Sequence, residues 1–144
     1  MSGDEVELRK RWHDAIYIKM EDRKPSRMQY LRRRLFVPKE VSPPAWMSKL
    51  LGKTILEEVE ENDSVLDMGT GSGVNAILAA SKSHNVVAVD VNPFCVKTGS
   101  RNADMNCVLP RIEFRESDLF SNVTGKFDLI IFDPPPSGGF PQET

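Results

Sequence analysis

The chain has 144 residues and a formal net charge of −2, with 40% apolar and 28% charged residues. These ordinary fractions exclude a disordered chain and provide enough apolar side chains for one core. No apolar run approaches the ~20 residues of a membrane span, and charges throughout the first twenty residues argue against a secretory signal, so we expect a cytoplasmic protein outside the membrane.

The two cysteines, Cys95 and Cys107, have no second pair and no histidine spacing around them. We expect both to be reduced thiols, with neither a disulfide nor a metal site.

Charge is distributed unevenly along the chain. Residues 1–40 contain 11 Lys and Arg against 7 Asp and Glu, whereas residues 41–144 contain 8 against 14. A basic segment beside an acidic domain is compatible with an arm that contacts a polyanion, although charge runs are more often solvated faces.

The basic segment is predicted to be largely helical. Apolar residues recur at three- and four-residue spacing over residues 4–20, which predicts an amphipathic helix. Three arginines at 32–34 precede an apolar turn or short strand, and they are either a solvated helix end or a phosphate-contacting patch with Tyr30 and Phe36 nearby. We therefore expect a basic N-terminal helical extension over residues 1–40.

The domain that follows, residues 41–144, begins with a helix whose apolar face runs from Trp46 to Val59. A buried strand over 64–68 contains Val65, Leu66 and Asp67. The glycines Gly69, Gly71 and Gly73 come next, and an Ala- and Leu-rich helix over 74–83 follows at once. A strand that turns through three glycines into a helix is typical of a nucleotide-cofactor loop, while the simpler alternative is a tight connection without a ligand.

The spacing of the glycines bears on the choice of cofactor. The dinucleotide fingerprint needs a third glycine where this chain has Val74. The pattern therefore disfavours an NAD-dependent oxidoreductase.

Three further strands are predicted. A continuous apolar run over 86–90 ends on Asp90, and Asn92 with Pro93 opens a helix to about residue 106. Alternation over 111–115 predicts an edge strand, and the continuous run over 127–132 predicts a buried one. This order of elements predicts an α/β fold with a parallel sheet of order 3-2-1-4.

Taken together, the motif Asp-x-Gly-x-Gly-x-Gly from Asp67, the acid Asp90 and the sequence Asp133-Pro134-Pro135 resemble the class I S-adenosylmethionine-dependent methyltransferases. The resemblance covers about residues 38–136. It is greatest to the small-domain group that methylates amino nitrogens of RNA bases or of protein glutamine, and it implies a Rossmann-like fold of seven strands.

Eight residues are candidates for binding S-adenosylmethionine. Asp90 ends a strand where its carboxylate can accept both ribose hydroxyls, and Asp67 can fix the glycine loop or the cofactor's amino group. The resemblance implies that the acid Asp118 accepts from the adenine amine. The full set is Asp67, Gly69, Gly71, Gly73, Asp90, Asn92, Asp118 and Leu119.

Asp133, Pro134 and Pro135 are the catalytic candidates. An amide or exocyclic amine is a poor nucleophile, and acceptors that hold its hydrogens can aim its lone pair at the methyl group. The Asp133 carboxylate and the Pro134 carbonyl can serve as these acceptors without a metal. A merely stiff proline turn is the alternative.

The sequence departs from the family in two places. Pro136 stands where the family usually has an aromatic residue, and the chain ends at Thr144, before three further strands of the fold. Strand 127–132 would then be an edge, which favours a homodimer through it.

We expect an N-methyltransferase acting on RNA through the basic segment. The alternatives are a protein-glutamine methyltransferase and a cofactor-binding module without transfer activity.

Overall fold

The computed structural model describes residues 3–8, 10–11, 24–45 and 48–133. Residues 3–8 and 10–11 form helix α1, and the rest of the helix predicted over 4–20 lies outside the described residues. The elements that follow are β1 (Ser26–Tyr30), β2 (Arg33–Val37), α2 (Ser48–Glu58), β3 (Ser64–Met68), α3 (Val74–Ala80), β4 (Asn85–Asp90), α4 (Pro93–Met105), a 3-10 turn (Leu109–Arg111), β5 (Ile112–Glu116) and β6 (Leu129–Phe132).

Four parallel strands form the main sheet in the order β5-β4-β3-β6. This is the predicted order 3-2-1-4, and the Rossmann-like α/β fold is confirmed. Val65 of β3 lies opposite Val86 of β4 and Leu129 of β6. The four residues of β3 from Val65 to Met68 are all buried, as expected of a central strand in a parallel sheet that is covered on both faces.

Two glycines allow the loop after β3 to pack closely against α4. A Cβ atom on Gly73 would lie 2.6 Å from the Cα of Gly99, and a Cβ on Gly99 would lie 2.6 Å from the ring of Phe114. Gly73 also has a φ of 87°, in the left-handed region. The third glycine of the motif is therefore required for helix packing as well as for the turn.

The segment 26–37 is an antiparallel hairpin of β1 and β2, where the sequence predicted a helical extension with a turn or short strand. Its turn residues, Leu31 and Arg32, have φ values of 45° and 66°. Two-residue hairpin turns with positive φ usually contain Asn or Gly, so this turn carries no sequence signal. The inner face of the hairpin places Tyr30 and Leu35 in the same core as α3.

Asparagines on α4 bind the free edge of β2. Asn102 accepts the N–H of Phe36 at 2.8 Å and donates to its carbonyl at 3.0 Å. Asn106, one helical turn later, makes the same pair of bonds with Arg34, at 3.2 and 2.8 Å. Asn102 also donates to the carbonyl of Ser72 in the glycine loop at 2.8 Å. One fully buried side chain thus connects the hairpin to the glycine loop.

The strand β6 is at the edge of the sheet among the described strands. It begins at Leu129 rather than at Phe127, because Asp128 instead exchanges hydrogen bonds with Ser64 through its N–H and its carboxylate. Ile130 and Phe132 remain more than half exposed. Self-association through this edge stays a prediction.

Within the described residues, no helix is long and apolar enough to cross a membrane. The same part of the chain contains no group of three or more His, Cys, Asp or Glu side chains arranged to hold a metal ion. Cys95 and Cys107 are free thiols.

We predict that Asn102→Ala lowers the free energy of unfolding by about 2–4 kcal/mol, because the buried Ser72 carbonyl and two part-buried backbone groups of Phe36 lose their partner. Asn106→Ala is the matched control, since its site is more exposed, and it should cost about 1 kcal/mol or less. Urea unfolding of both variants measures the difference. Equal losses would show that Asn102 does not connect the hairpin to the loop energetically.

Candidate functional site

The glycine loop forms an open cradle after β3. Gly69 and Gly71 have φ values of 74° and 56°, and a Cβ on either would meet no atom within 4 Å. The N–H groups of Gly69 and Thr70 both donate to the carbonyl of Val89 at 2.9 Å, which ties the loop to β4. The loop is thus rigidly held, and a ligand can approach its backbone closely.

Asp90 ends β4 beside this cradle. Its carboxylate accepts the N–H of Gly71 at 3.0 Å and the N–H of Asn92 at 2.9 Å, one on each oxygen. Each carboxylate oxygen can accept two hydrogen bonds, so acceptor positions remain for two hydroxyl groups. The carboxylate is only half-buried, and a ribose could reach it.

A thiol lies next to this acid. Burial, helped by the Asp90 carboxylate, raises the pKa of Cys95 to about 12. The thiol therefore stays protonated at neutral pH, and we assign it no role in the chemistry.

Asn92 caps α4. Its side-chain oxygen accepts the N–H of Phe94 at 2.9 Å, and its amide donates to the carbonyl of Glu40 at 3.3 Å. These two hydrogen bonds give the Asn92 side chain a structural role as a helix cap. They also bring the segment after β2 to the corner of the site that Asp90 forms, and direct contact of Asn92 with a cofactor stays a prediction.

Asp67 lies beneath the loop and is 1% exposed. Its carboxylate accepts the Thr70 hydroxyl at 2.7 Å, and so it fixes the glycine loop as one of its two predicted roles requires. Burial raises its pKa from 3.8 to about 7, Asp90 and Asp133 add to this rise, and hydrogen bonds from Thr70 and Ala76 oppose it. Protonation of Asp67 reduces the repulsion among the three acids.

Asp118 and Leu119 follow β5 and are both exposed. The N–H of Ser117 donates to the carbonyl of Asp90 at 3.0 Å, which joins this loop to the end of β4. Leu119 has a φ of 52°, a conformation that costs a leucine about 1 kcal/mol or more and that is enriched at binding sites. Its exposed side chain is one of four large apolar ones on this loop, the loop after β4 and the first turn of α4, namely Leu119, Phe120, Val91 and Phe94.

Asp133 directly follows β6, and the Ser48 hydroxyl donates to its carboxylate at 2.9 Å. Ser48 lies in the first turn of α2, 85 positions away in the sequence, and no local signal pointed to it. Pro134 and Pro135 lie outside the described residues.

Tyr30 of the hairpin lies near the same acid. Burial and the nearby Asp133 raise the pKa of this tyrosine. Within the described part of the chain, its buried hydroxyl has no hydrogen-bond partner.

Strand register sets the spacing of the two outer acids. Met68 of β3 lies opposite Val89 of β4 and Phe132 of β6. Asp90 and Asp133 are the next residues on their strands, so they flank Gly69 at two strand spacings, or about 10 Å between Cα atoms. This is the switch point of the sheet, where ligands of such folds bind.

The parallel sheet of order β5-β4-β3-β6, with the glycine cradle at its switch point, is a Rossmann-like fold. A family model described as the methyltransferase small domain matches residues 46–142, and the chain belongs to that family.

Two curated relatives are similar in sequence. A Methanocaldococcus jannaschii protein described as a candidate protein N5-glutamine methyltransferase is 47% identical over 97 residues, which cover 67% of this chain and 47% of that protein. The ribosomal protein L11 methyltransferase of Thermosipho africanus is 41% identical over 85 residues, which cover 58% of this chain and 32% of that protein. The chain thus spans about half and about a third of their lengths.

A solved structure shares the fold. The Pyrococcus abyssi tRNA (uracil-54, C5)-methyltransferase, in complex with S-adenosyl-L-homocysteine, matches with a TM-score of 0.65 at 24% identity, over 78% of this chain and 29% of that one.

The residues present fit S-adenosylmethionine. The cradle at Gly69 and Gly71 has room that a Cβ would fill, and Asp90 retains acceptor positions for ribose hydroxyls. The exposed side chains of Phe94 and Leu119 offer apolar surface for an adenine ring.

We predict that Asp67 makes the stability of the chain fall as pH rises. A carboxyl whose pKa is about 7 when folded and about 3.9 when unfolded contributes most stability below pH 4 and loses it as pH rises to about 7. Relative to Asp67→Asn, the wild-type free energy of unfolding should fall by about 2–3 kcal/mol between pH 5 and 8. Denaturant unfolding at several pH values measures this, and parallel profiles would rule out a raised pKa.

Proposed function

We propose that this chain transfers the methyl group of S-adenosylmethionine to a planar amide or amino nitrogen. The observation that carries the proposal is the position of the Asp133 carboxylate, which accepts a hydrogen bond from Ser48. Asp133 follows Phe132, which lies opposite Met68 on β3, so the carboxylate lies beside the start of the glycine loop. The chain spans less than half of the length of these two relatives, so methyl transfer by the whole protein is a proposal.

The chemistry of the site follows from its acceptors. The cofactor, when bound, supplies a methyl group that is already activated by a sulfonium. Asp90 binds the ribose, and Asp133 accepts an N–H of the substrate, which turns the nitrogen lone pair toward the methyl group. The Pro134 carbonyl is proposed as the second acceptor. Since Asp133 is exposed, the proton released by the nitrogen can pass from it to water.

Protein glutamine is the first candidate substrate. A side-chain amide presents one planar nitrogen with two hydrogens, which matches a pair of acceptors. The 47% identical relative is described as a candidate protein N5-glutamine methyltransferase, which supports the same acceptor here.

RNA is the second candidate substrate. An exocyclic base amine has the same geometry, and residues 1–40 carry an excess of four positive charges, counted as 11 basic against 7 acidic residues. A polyanion would be attracted to that segment. A cofactor-binding module without transfer activity is the remaining alternative, because Pro136 offers no aromatic face for a flat substrate.

We predict that Asp133→Ala lowers methyl transfer by about 10²–10⁴-fold, because no side-chain acceptor remains to hold the N–H and orient the substrate nitrogen. Affinity for S-adenosylmethionine should change less than twofold. Ser48→Ala should lower transfer less, since it removes only the group that positions Asp133. Transfer of a radiolabelled methyl group to separate protein and RNA fractions measures this and distinguishes the two substrates.

Two further variants serve as controls for that experiment. Asp90→Ala should weaken cofactor binding by about 1.5–3 kcal/mol in calorimetry, because charge-assisted hydrogen bonds are lost. Asp104→Asn removes an equal charge from an exposed site on α4 and should change neither quantity. Cofactor binding with no transfer to either fraction would identify a binding module, and undiminished transfer by Asp133→Ala would remove Asp133 from the mechanism.

A further inference from the structure

The outer face of the hairpin carries a set of basic side chains away from the cofactor cradle. Partners in the ladder share a face, and the inner face contains Leu35 and Tyr30. The alternate positions, Arg27 paired with Phe36 and Gln29 paired with Arg34, therefore face outward. These four residues form one surface next to α4.

A pocket of about 460 Å³ lies on this surface. Within the described parts of the chain, eight residues line it, and they include three arginines and no acid: Arg27, Met28, Gln29, Arg34, Leu35, Phe36, Arg101 and Met105. We call it the arginine pocket. It is distinct from the cradle at Gly69 and Gly71, and none of the residues assigned above to the cofactor or to catalysis lines it.

Arginine and phenylalanine side chains are stacked in this pocket. The guanidinium of Arg101, from α4, lies 4.5 Å from the ring centroid of Phe36. The second face of a guanidinium stacked in this way is available to another flat group. Arg27 lies on the strand directly opposite Phe36, so its fork adjoins the stack.

The three arginines carry uncompensated charge. Among the described residues, the ion pairs in the structure are Arg11 with Glu7 and Arg115 with Glu113, and neither involves the arginine pocket. Arg27, Arg34 and Arg101 are all exposed. A single charge on the surface is usually screened by water and salt. Three guanidinium groups around one concave surface, in contrast, attract an anion.

The surface is also held in place before any ligand arrives. Both backbone groups of Phe36 are bound by Asn102, and both backbone groups of Arg34 are bound by Asn106. Arg101 lies on the same helix as these asparagines. A preorganised site loses less conformational entropy on binding.

The arginines at 32–34, which the sequence left as either a solvated helix end or a phosphate-contacting patch, do not share this surface. Arg32 is in the turn, and Arg33 lies opposite Tyr30 on the inner face and donates to the carbonyl of Leu31 at 2.6 Å. Only Arg34 belongs to the arginine pocket. The other two arginines of the pocket are Arg27 on β1 and Arg101 on α4.

We propose that the arginine pocket binds single-stranded RNA. Arg27 and Arg34 contact successive phosphates, and an unstacked base lies on the outer face of the Arg101 guanidinium. Forked contacts to phosphate and stacking of splayed bases are how proteins hold single strands. An acidic peptide would use the charges but not the stack.

The arginine pocket lies close to the proposed cofactor site, and this proximity holds whether RNA or protein accepts the methyl group. Phe36 lines the pocket, and Glu40, four residues later, accepts a hydrogen bond from Asn92 next to Asp90. Four residues span at most about 14 Å, so RNA in the pocket lies near the cofactor corner. The site would hold either an RNA substrate or an RNA that accompanies a protein substrate.

The test is binding of a fluorescent 12-nucleotide single-stranded RNA across a salt titration, with the whole chain. In Arg27→Gln/Arg34→Gln/Arg101→Gln, affinity at 0.1 M salt should fall about ten- to thirtyfold, and the salt slope should decrease by about 0.7 for each lost phosphate contact. The matched control is Lys53→Gln/Lys82→Gln/Lys126→Gln, which removes three charges from exposed sites outside the pocket. It should bind RNA within about threefold of the wild type.

Two further arms make the outcome specific. Arg27→Lys/Arg34→Lys/Arg101→Lys keeps the charge but removes the forks and the stack, so it should recover only part of the affinity. Polyglutamate at equal charge concentration should not displace the RNA. Calorimetry with S-adenosylmethionine should be unchanged in every variant, which separates failure of this proposal from failure of the proposed function.

The proposal is overturned if the wild-type chain does not bind the RNA, if the lysine control loses as much affinity as the arginine variant, or if polyglutamate displaces the RNA as well as unlabelled RNA does. The last outcome would identify a general anion surface. Full recovery by the Lys variant would likewise rule out stacking and forked contacts as the source of binding.

Discussion

The carboxylate of Asp90 holds together the two backbone segments that form the proposed cofactor site. One oxygen accepts from Gly71 in the glycine loop, and the other accepts from Asn92 at the start of α4. The Asp90 carbonyl accepts from Ser117 in the loop after β5. One residue at the end of a central strand thereby fixes the three segments around the proposed cofactor site, and its carboxylate keeps acceptor capacity for a ligand.

The hairpin depends on the same framework from the other side. Asn102 binds Phe36 and Ser72 together, so the position of β2 is set relative to the glycine loop. Gly52 on α2 allows the hairpin tip to pack, because a Cβ there would lie 2.7 Å from Leu31. The basic surface, the cradle and the acid held by Ser48 are therefore parts of one packed body.

Much of the fold could be predicted from local patterns, and so could the edge of the sheet at which the candidate site residues meet. Continuous apolar runs ending on Asp67 and Asp90 indicate central parallel strands, and parallel strands bring their carboxyl ends to one edge. The hairpin was missed because its turn, Leu31 with Arg32, lacks the residues that usually mark such turns. Ser48 and Arg101 were missed because their contacts join elements distant in sequence.

The most direct test of the central claim is calorimetry of the whole chain with S-adenosylmethionine and, in parallel, with NAD. The account predicts saturable binding of S-adenosylmethionine at one site and no measurable binding of NAD, because Val74 replaces the third glycine of the dinucleotide fingerprint. Saturable binding of NAD with no binding of S-adenosylmethionine would contradict it.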